Sequence, residues 1–338
     1  MGNDIVRLHH VGHIVRDMAQ AITLYERLGF RLPPPSCPAI RRHEGSEPEP
    51  FGTGNSHADF PHSFLELVSW IEDSSTHRLP ANARIVPLDA PPEVLPGLVQ
   101  RIEETSANVA ARLERFQGLH ILMLSSPDIR AAATRLSDAG VRHGGVTTVR
   151  RPSDASDDVA TVRYLEIGDD ASASRPGAVA EGRVGVAAEL DPDAQRAAGL
   201  LDHPNGAVDV VDAVLCVADE EVGATERRYA TYLGREAHQD GPGRVFALDE
   251  STLTLVPASR LAELLPGEQP PALPAIAACT IAVRDLDQAA ALLRRNGLPT
   301  RKTPSGDLLV PAEAALGAAL VFRQAGSGAT TRAQRPGR

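Results

Sequence analysis

A carboxylate in the middle of an apolar run is the first residue of this sequence whose type suggests chemistry. Residues 64–68, Phe-Leu-Glu-Leu-Val, predict a β-strand in which Glu66 shares a face with the first and last residues of the run. A buried carboxylate without a partner is costly, so Glu66 requires a metal ion, an arginine or a proton. Two histidines, His10 and His120, also lie inside apolar, strand-like runs. Two neutral imidazoles with one or two carboxylates would suit Fe(II), Mn(II), Zn(II) or Ni(II).

The elements that must position these residues occur four times along the chain. Each unit opens with an apolar strand that ends at an aspartate: Asp17, Asp128, Asp219 and Asp285. A helical stretch rich in Ala or Leu follows and ends near a glycine, as a C-cap would: Gly29, Gly140, Gly234 and Gly297. Further short strands complete each unit, so the predicted order is βαβββ. The second unit has one extra residue between His120 and its aspartate.

A single βαβββ unit cannot bury the apolar face of its sheet, so we expect the units to pair. The predicted fold is α+β, with units one and two forming one cupped sheet and units three and four forming another. The Pro- and Gly-containing linkers agree with this grouping. They predict an N-terminal domain over residues 1–190, a linker over 191–210, a C-terminal domain over 211–324 and a flexible tail over 325–338.

The composition favours a globular protein that acts on a small molecule. The 338 residues are 42% hydrophobic, and the formal charge of −10 argues against nucleic acid or an anionic membrane as the main partner. No apolar run approaches the roughly 20 residues of a membrane span, and the first residues lack a signal-peptide pattern. Three separated cysteines fit reduced thiols. We expect a cytoplasmic protein, either a monomer or a homodimer.

Together these features resemble the vicinal oxygen chelate superfamily, the group of glyoxalases, bleomycin-resistance proteins and extradiol dioxygenases. The resemblance rests on the His-x5-Arg-Asp signature at residues 10–17, the helix ending in Leu-Gly-Phe30, the strand at 64–68 and the fourfold repeat. Residues 52–57 and 203–206 are further points of likeness to a glyoxalase-like subgroup.

The resemblance implies a divalent metal in the first pair of units, held by the first and last strands of each unit. Mapped onto this sequence, the ligands are His10, Glu66, His120 and Glu189, and Glu66 and Glu189 are the catalytic carboxylates. Glu166 competes with Glu189 as the fourth ligand, and Glu189 is preferred. Units three and four are expected to bind no metal, because the corresponding positions hold other residues: Asp212, Thr254, Ala278 and Val321.

A second group of residues could contact a substrate. His57 and Asp59 share a face of one strand, and Tyr164 lies on a strand of the second unit; a solvated role for His57 and Asp59 is the alternative. His13 falls on the opposite strand face from His10, so we expect it to be packed or hydrogen-bonded elsewhere. His9 is expected at the surface.

Three functions compete. The resemblance implies a metal-dependent lyase or isomerase of the glyoxalase type, in which the metal chelates two oxygens of a small substrate and a carboxylate or histidine moves the proton. A non-haem Fe(II) dioxygenase is the alternative, because two histidines and one carboxylate leave coordination positions for O₂. A resistance protein that sequesters a drug in the same cup is the third, and it would not need these ligands.

Overall fold

The structure is a computed structural model that describes residues 4–41, 43, 45–71, 78–152, 159–168, 179–197 and 199–326. The strands are β1 (Arg7–Val15), β2 (Ser36–Ile40), β3 (Glu49–Pro50), β4 (Gly52–Asp59), β5 (Phe64–Ile71), β6 (Arg84–Pro87), β7 (Gly118–Ser126), β8 (Thr147–Pro152), β9 (Val159–Glu166), β10 (Arg183–Ala188), β11 (Ala207–Val217), β12 (His238–Asp240), β13 (Gly243–Ala247), β14 (Thr252–Pro257), β15 (Ala275–Val283), β16 (Arg301–Lys302), β17 (Leu308–Val310) and β18 (Ala319–Gln324). The helices are α1 (Met18–Arg27), α2 (Leu95–Arg115), α3 (Ile129–Asp138), α4 (Pro192–Ala197), α5 (Val222–Leu233), α6 (Leu261–Leu264) and α7 (Leu286–Arg295). Short 3₁₀ turns cover Asp219–Glu221, Ala258–Arg260 and Ala312–Ala314.

Strand pairing joins the four units in two pairs, as the repeat predicts. In the N-terminal half the order across the sheet is β2–β4–β5–β1–β7–β10–β9–β8, and β3 and β6 pair with β2. The C-terminal half repeats this arrangement in the order β12–β13–β14–β11–β15–β18–β17–β16. One residue pair, Leu119 with Ile276, connects β7 to β15 and links the two halves. The predicted α+β class is therefore confirmed.

The ends of the repeated helices follow the predicted capping pattern in three units. Asp17, Asp128 and Asp285 accept hydrogen bonds from backbone N–H groups in the first turn of α1, α3 and α7. The four predicted glycines all have a positive φ, between 64° and 88°, which suits a helix end without a Cβ penalty. Unit three differs at its start: Asp219 opens a 3₁₀ turn and accepts from the Ser259 backbone, so α5 begins only at Val222.

The largest apolar cluster takes residues from both halves. Phe30 of the N-terminal half and Phe322 of the C-terminal half stack with ring centroids 6.1 Å apart. Smaller clusters lie against one helix in each half: Val109 and Leu113 of α2 pack in one, and Leu261 of α6 packs in the other. The domain boundaries at 190 and 211 stay a prediction.

The predicted linker contains a turn that is bonded to the first unit. His203 Nε2 donates to the Asp59 carbonyl at 2.8 Å, and the backbone N–H of Arg31 donates to His203 Nδ1 at 3.0 Å. The Asn205 N–H donates to the Gly29 carbonyl at 3.1 Å, beside the end of α1. Residues 203–206 therefore fasten the linker to the N-terminal half.

The C-terminal half also holds the leading end of β1. The Asp249 N–H donates to the Val6 carbonyl at 2.8 Å, and the Leu8 N–H donates to Ser251 Oγ at 2.8 Å. Arg235 donates to the Ile5 carbonyl at 3.1 Å.

A buried ion pair joins the halves beside β10. Glu181 has no exposed side chain and accepts from Arg228 Nη1 at 2.7 Å and Nη2 at 3.0 Å, and from the Tyr229 hydroxyl at 2.7 Å. Both donors belong to α5.

Of the helices in the described ranges, none combines the length and the apolar character needed to cross a membrane. Residues 327–338 of the predicted tail lie outside the described residues.

Candidate active site

A cavity of about 150 Å³ lies between α2 and one face of the N-terminal half of the sheet. A cavity of this volume holds a molecule roughly the size of benzene. Its lining combines apolar, uncharged polar and charged side chains: Ile14, Thr53, Asn55, Glu66, Val68, Thr105, Asn108, Val109, Arg112, Ile121, Tyr164, Glu166 and Arg183. Such a lining can bind the apolar part of a small molecule and orient its polar groups.

Strand register explains why these residues meet. Glu66 on β5 pairs with Gly12 on β1, Gly12 with Ile121 on β7, and Ile121 with Arg183 on β10. Cross-strand partners point to the same face of the sheet, so this row of four residues has the acidic Glu66 at one end and the basic Arg183 at the other. Gly12 makes room for the Ile121 side chain at the centre of the row, since a Cβ at position 12 would lie 2.6 Å from Ile121 Cβ.

Glu66, which lines the cavity, forms the first polar group of the site together with the neighbouring His10. Glu66 Oε2 is 3.7 Å from His10 Nε2, and both side chains are about nine-tenths buried. The His10 ring stacks on Phe64 at 4.3 Å, which fixes its plane. Glu66 Oε2 is buried and has no hydrogen-bond donor within the part of the chain that the structure describes. A buried acceptor of this kind points to a ligand or a proton that occupies the site.

His9 sets the orientation of His10. Burial lowers the pKa of His9 to about 4, so His9 is neutral at pH 7, and its ring N–H bonds to the Ala188 backbone. The Nδ1 atoms of His9 and His10 are 2.8 Å apart, so His9 Nδ1 accepts and His10 Nδ1–H donates. This bond turns Nε2 of the His10 ring toward the carboxylate of Glu66. A ring nitrogen and a carboxylate oxygen that face one point are suited to share a proton.

Arg183 and Glu166 form the second polar group. Arg183 Nε donates to Glu166 Oε1 at 2.5 Å, and Nη2 contacts the same oxygen. The guanidinium lies 5.8 Å from the centre of the Tyr164 ring. Burial disfavours the charged guanidinium, but the carboxylates of Glu166 and Glu66 outweigh this and raise the pKa of Arg183. Arg183 therefore holds a permanent positive charge in the cavity.

The predicted substrate residues lie in or near this cavity. Tyr164 lines it directly. His57 lies opposite Glu66 across β4 and β5, and its Nδ1 is 2.9 Å from Asp59 Oδ1. Both residues are on the predicted shared face, and substrate contact by them stays a prediction. His13 is hydrogen-bonded elsewhere, to the Tyr25 hydroxyl and the Leu316 carbonyl, as expected from its strand face.

The structure does not bring His120 to the site. His120 is fully buried, its Nε2 donates to the Phe116 carbonyl at 2.9 Å, and its ring packs on Phe116. The reason is the extra residue in unit two. Counted back from the capping aspartates, the position of His10 corresponds to Ile121, and a shift of one residue moves a side chain to the other face of a strand.

Glu189 also lies away from the cavity. It follows the last residue of β10 and is exposed, whereas its competitor Glu166 lines the cavity beside Arg183. Register gives the reason: Met123, two residues after Ile121, pairs with Gly185, so the position of Glu66 corresponds in unit two to a glycine.

Sequence reasoning missed Arg183, Arg112 and His9. The signal for Arg183 was an arginine at the start of an apolar strand, on the strand face that alternation assigns to the cavity. His9, expected at the surface, is only 4% exposed because its neighbour on β1 is the bonded His10 ring.

The corresponding place in the C-terminal half is polar but differently bonded. Asp212 accepts from the hydroxyls of Thr252 and Thr254, and burial raises the pKa of Asp212 to about 6.

Comparison with known proteins places this chain in a family. Residues 8–233 match the family described as a glyoxalase-like domain, which is more than half of the chain. The chain belongs to the glyoxalase-like family. The match covers the whole cavity of this glyoxalase-like chain and runs into unit three, and it agrees with the vicinal oxygen chelate resemblance. No curated protein matches the sequence.

Solved structures share the fold of this glyoxalase-like chain at low identity. A hypothetical protein from Staphylococcus aureus superposes with a TM-score of 0.57 and 12% identity, over 95% of this chain and 100% of that protein. A variant of 4-hydroxymandelate synthase from Streptomyces coelicolor gives a TM-score of 0.50 and 12% identity, over 95% and 93%. At this identity the likeness shows the fold alone.

The residues at the glyoxalase-like site do not fit the divalent metal that the resemblance implies. Of the four mapped ligands, only His10 and Glu66 converge. Within the described ranges, no three His, Cys, Asp or Glu side chains form a group that could hold an ion. Two guanidinium groups, those of Arg112 and Arg183, line the same cavity and offset the charge of the carboxylates that would attract a cation.

Proposed function

We propose that this protein is an enzyme that transfers a proton within a small organic molecule bound in the N-terminal cavity, in a lyase or isomerase reaction. The observation that supports this most directly is the buried Glu66 Oε2, which lacks a hydrogen-bond donor and lies 3.7 Å from His10 Nε2. A carboxylate in that state accepts a proton from a molecule placed in the cavity.

Each neighbour has a part in this step. Glu66 takes the proton, and His10 shares it through Nε2, while His9 keeps the His10 ring in the tautomer that directs Nε2 inward. Apolar walls, including Val68, Val109 and Ile121, displace water from the reacting atoms. The low polarity of these walls strengthens the hydrogen bonds that the charged groups make.

Metal-dependent forms of the reaction receive less support. Both the metal-dependent lyase and the Fe(II) dioxygenase need ligands from unit two, where Ile121 and Gly185 stand at the corresponding positions. We therefore assign the proton step to Glu66 and His10. The alternative function is sequestration, in which the protein binds a small molecule and does not change it.

The test is proton exchange in D₂O followed by ¹H NMR. A panel of 2-oxo acids and hydroxyaldehydes of three to six carbons is incubated with the full-length protein, and loss of the C–H signal next to the carbonyl is measured. Glu66→Gln should slow exchange by about 10²- to 10⁴-fold, which is the usual contribution of a general base. Glu26→Gln, an exposed carboxylate on α1, is the matched control and should exchange like the wild type.

A second substitution compares the two carboxylate assignments. Glu189→Gln should also leave exchange unchanged, because Glu189 lies outside the cavity. Equal exchange by Glu66→Gln and wild type contradicts the proposal, and compounds that bind without any exchange support sequestration.

A further inference from the structure

The cavity contains a fixed positive charge at the end of the row that faces Glu66. Arg183 pairs across the strands with Ile121, which corresponds to His10 of unit one, and so it occupies the unit-two side of the site. On that side, Ile121 and Gly185 offer no metal ligand.

We infer that the Arg183 guanidinium takes the place of the divalent ion, and that the cavity binds a small molecule through a carboxylate or carbonyl oxygen without a metal. This inference rests on the proposed function, because it names what binds opposite Glu66. The charges of the cavity already balance: Glu66 and Glu166 carry two negative charges, and Arg183 and Arg112 carry two positive charges.

The donors of Arg183 suit an oxygen ligand. A guanidinium carries five N–H donors in a planar fork, and Glu166 takes those at Nε and Nη2. The remaining N–H donors belong to the same guanidinium, which lines the cavity on a side chain that is about one-third exposed. A planar fork of this kind matches a carboxylate, or the oxygen of a carbonyl, better than a single ammonium group does.

Arg112 cannot take this part, because its Nη2 donates to the carbonyls of Val179 at 2.8 Å and Gly182 at 3.3 Å. These bonds hold the segment that precedes β10 and thereby fix the start of Arg183's strand. Arg112 is a positioning residue here.

The proton step then balances without a co-reactant. The C–H bond next to the carbonyl breaks, its proton goes to Glu66 Oε2, and its electron pair moves to the carbonyl oxygen, where Arg183 stabilises the negative charge. Return of the proton to a different atom completes an isomerisation, and loss of a leaving group from the neighbouring carbon completes an elimination.

The experiment measures binding rather than turnover. Full-length protein treated with EDTA is titrated by calorimetry with benzoate, which fits a ring-sized cavity, and with the uncharged analogue benzamide. Benzoate should bind more tightly than benzamide, and Arg183→Gln should weaken benzoate about 10- to 100-fold while it changes benzamide less than threefold. Addition of Zn²⁺, Mn²⁺ or Ni²⁺ should not change the affinity for benzoate.

Three further variants guard against misfolding. Arg183→Gln combined with Glu166→Gln keeps an amide pair in place of the ion pair and should show the same loss. Arg163→Gln, on the exposed face of β9, is the matched control and should bind benzoate like the wild type. Arg183→Lys keeps the charge without the fork and should retain part of the affinity for benzoate that Arg183→Gln loses.

Several results would overturn the inference. They are benzoate binding that requires added metal, equal affinities of the wild type and Arg183→Gln, equal affinities for benzoate and benzamide, and no benzoate binding under any condition. Glu66→Gln separates this inference from the proposed function, since it should still bind benzoate although its proton exchange is slowed. Failure of Arg183→Gln to weaken binding leaves the proton step standing, whereas exchange by Glu66→Gln leaves the oxygen site standing.

Discussion

Removal of Glu181 tests whether the C-terminal half supports the cavity. Glu181 lies two residues before Arg183 and accepts three hydrogen bonds from α5, two from Arg228 and one from the Tyr229 hydroxyl. The substitution Glu181→Ala leaves a fully buried hydroxyl without its acceptor and a guanidinium without its partner.

The magnitude follows from burial. An orphaned buried hydroxyl costs about 1–3 kcal/mol. Breaking a fully buried ion pair costs about 3–5 kcal/mol, but the Arg228 side chain keeps 30% of its exposure, so water offsets much of that loss and about 1–2 kcal/mol remains. We expect the free energy of unfolding to fall by about 3 kcal/mol in total.

The assay is equilibrium unfolding in urea, with the slope checked for two-state behaviour. Glu181→Gln keeps an acceptor for the Tyr229 hydroxyl, so its free energy of unfolding should fall by about half as much. Glu189→Ala removes an exposed carboxylate eight residues along the chain and should change stability by less than about 0.5 kcal/mol. If the free energy of unfolding of Glu181→Ala falls by less than about 1 kcal/mol, with an unchanged slope, this account of the contact between Glu181 and α5 is refuted.

Two further predictions concern the whole fold. Burial lowers the pKa of His9, His13 and His120 from 6.5 to about 4, so the unfolded chain binds these protons at a higher pH than the folded chain does. Their contribution to stability is therefore present above pH 6.5 and is lost as the pH falls to about 4, and unfolding near pH 5 takes up about three protons. Urea titrations between pH 4 and 7 measure how the free energy of unfolding depends on pH. If His13→Asn has the same pH dependence as the wild type, the prediction is contradicted. Deletion of residues 211–338 removes Phe322 from the shared core and Arg228 from the ion pair with Glu181, so the fragment 1–210 should be less soluble and melt at a lower temperature. A calorimetric melting temperature equal to that of the full chain would show that the N-terminal half is independent.

Local signals predicted the fold well because the same short-range physics recurs in each unit. An aspartate that caps a helix and a glycine that ends it act within a few residues, so Asp17 and Gly29 are readable from sequence. Asp219 was an exception because a tertiary contact, the backbone of Ser259, takes its side chain.

The site was less predictable because it depends on strand register. His120 lies one residue from the position equivalent to His10, and one residue is enough to change the face of a strand. Glu66 was predictable, since an acid in an apolar strand is conspicuous at once, whereas Arg183 gained meaning only when β10 was placed beside β7. Pairing between distant strands is information that a local pattern does not contain.

The bonds that fix β1 also have a consequence for how the chain is synthesised. Ile5, Val6 and Leu8 receive their partners from residues 235–251, which leave the ribosome roughly 10 to 50 seconds later at about 5–20 residues per second. During that interval the apolar first strand has no complete set of neighbours, and such segments aggregate or bind chaperones. The oldest part of the nascent chain is thus among the last to reach its final contacts.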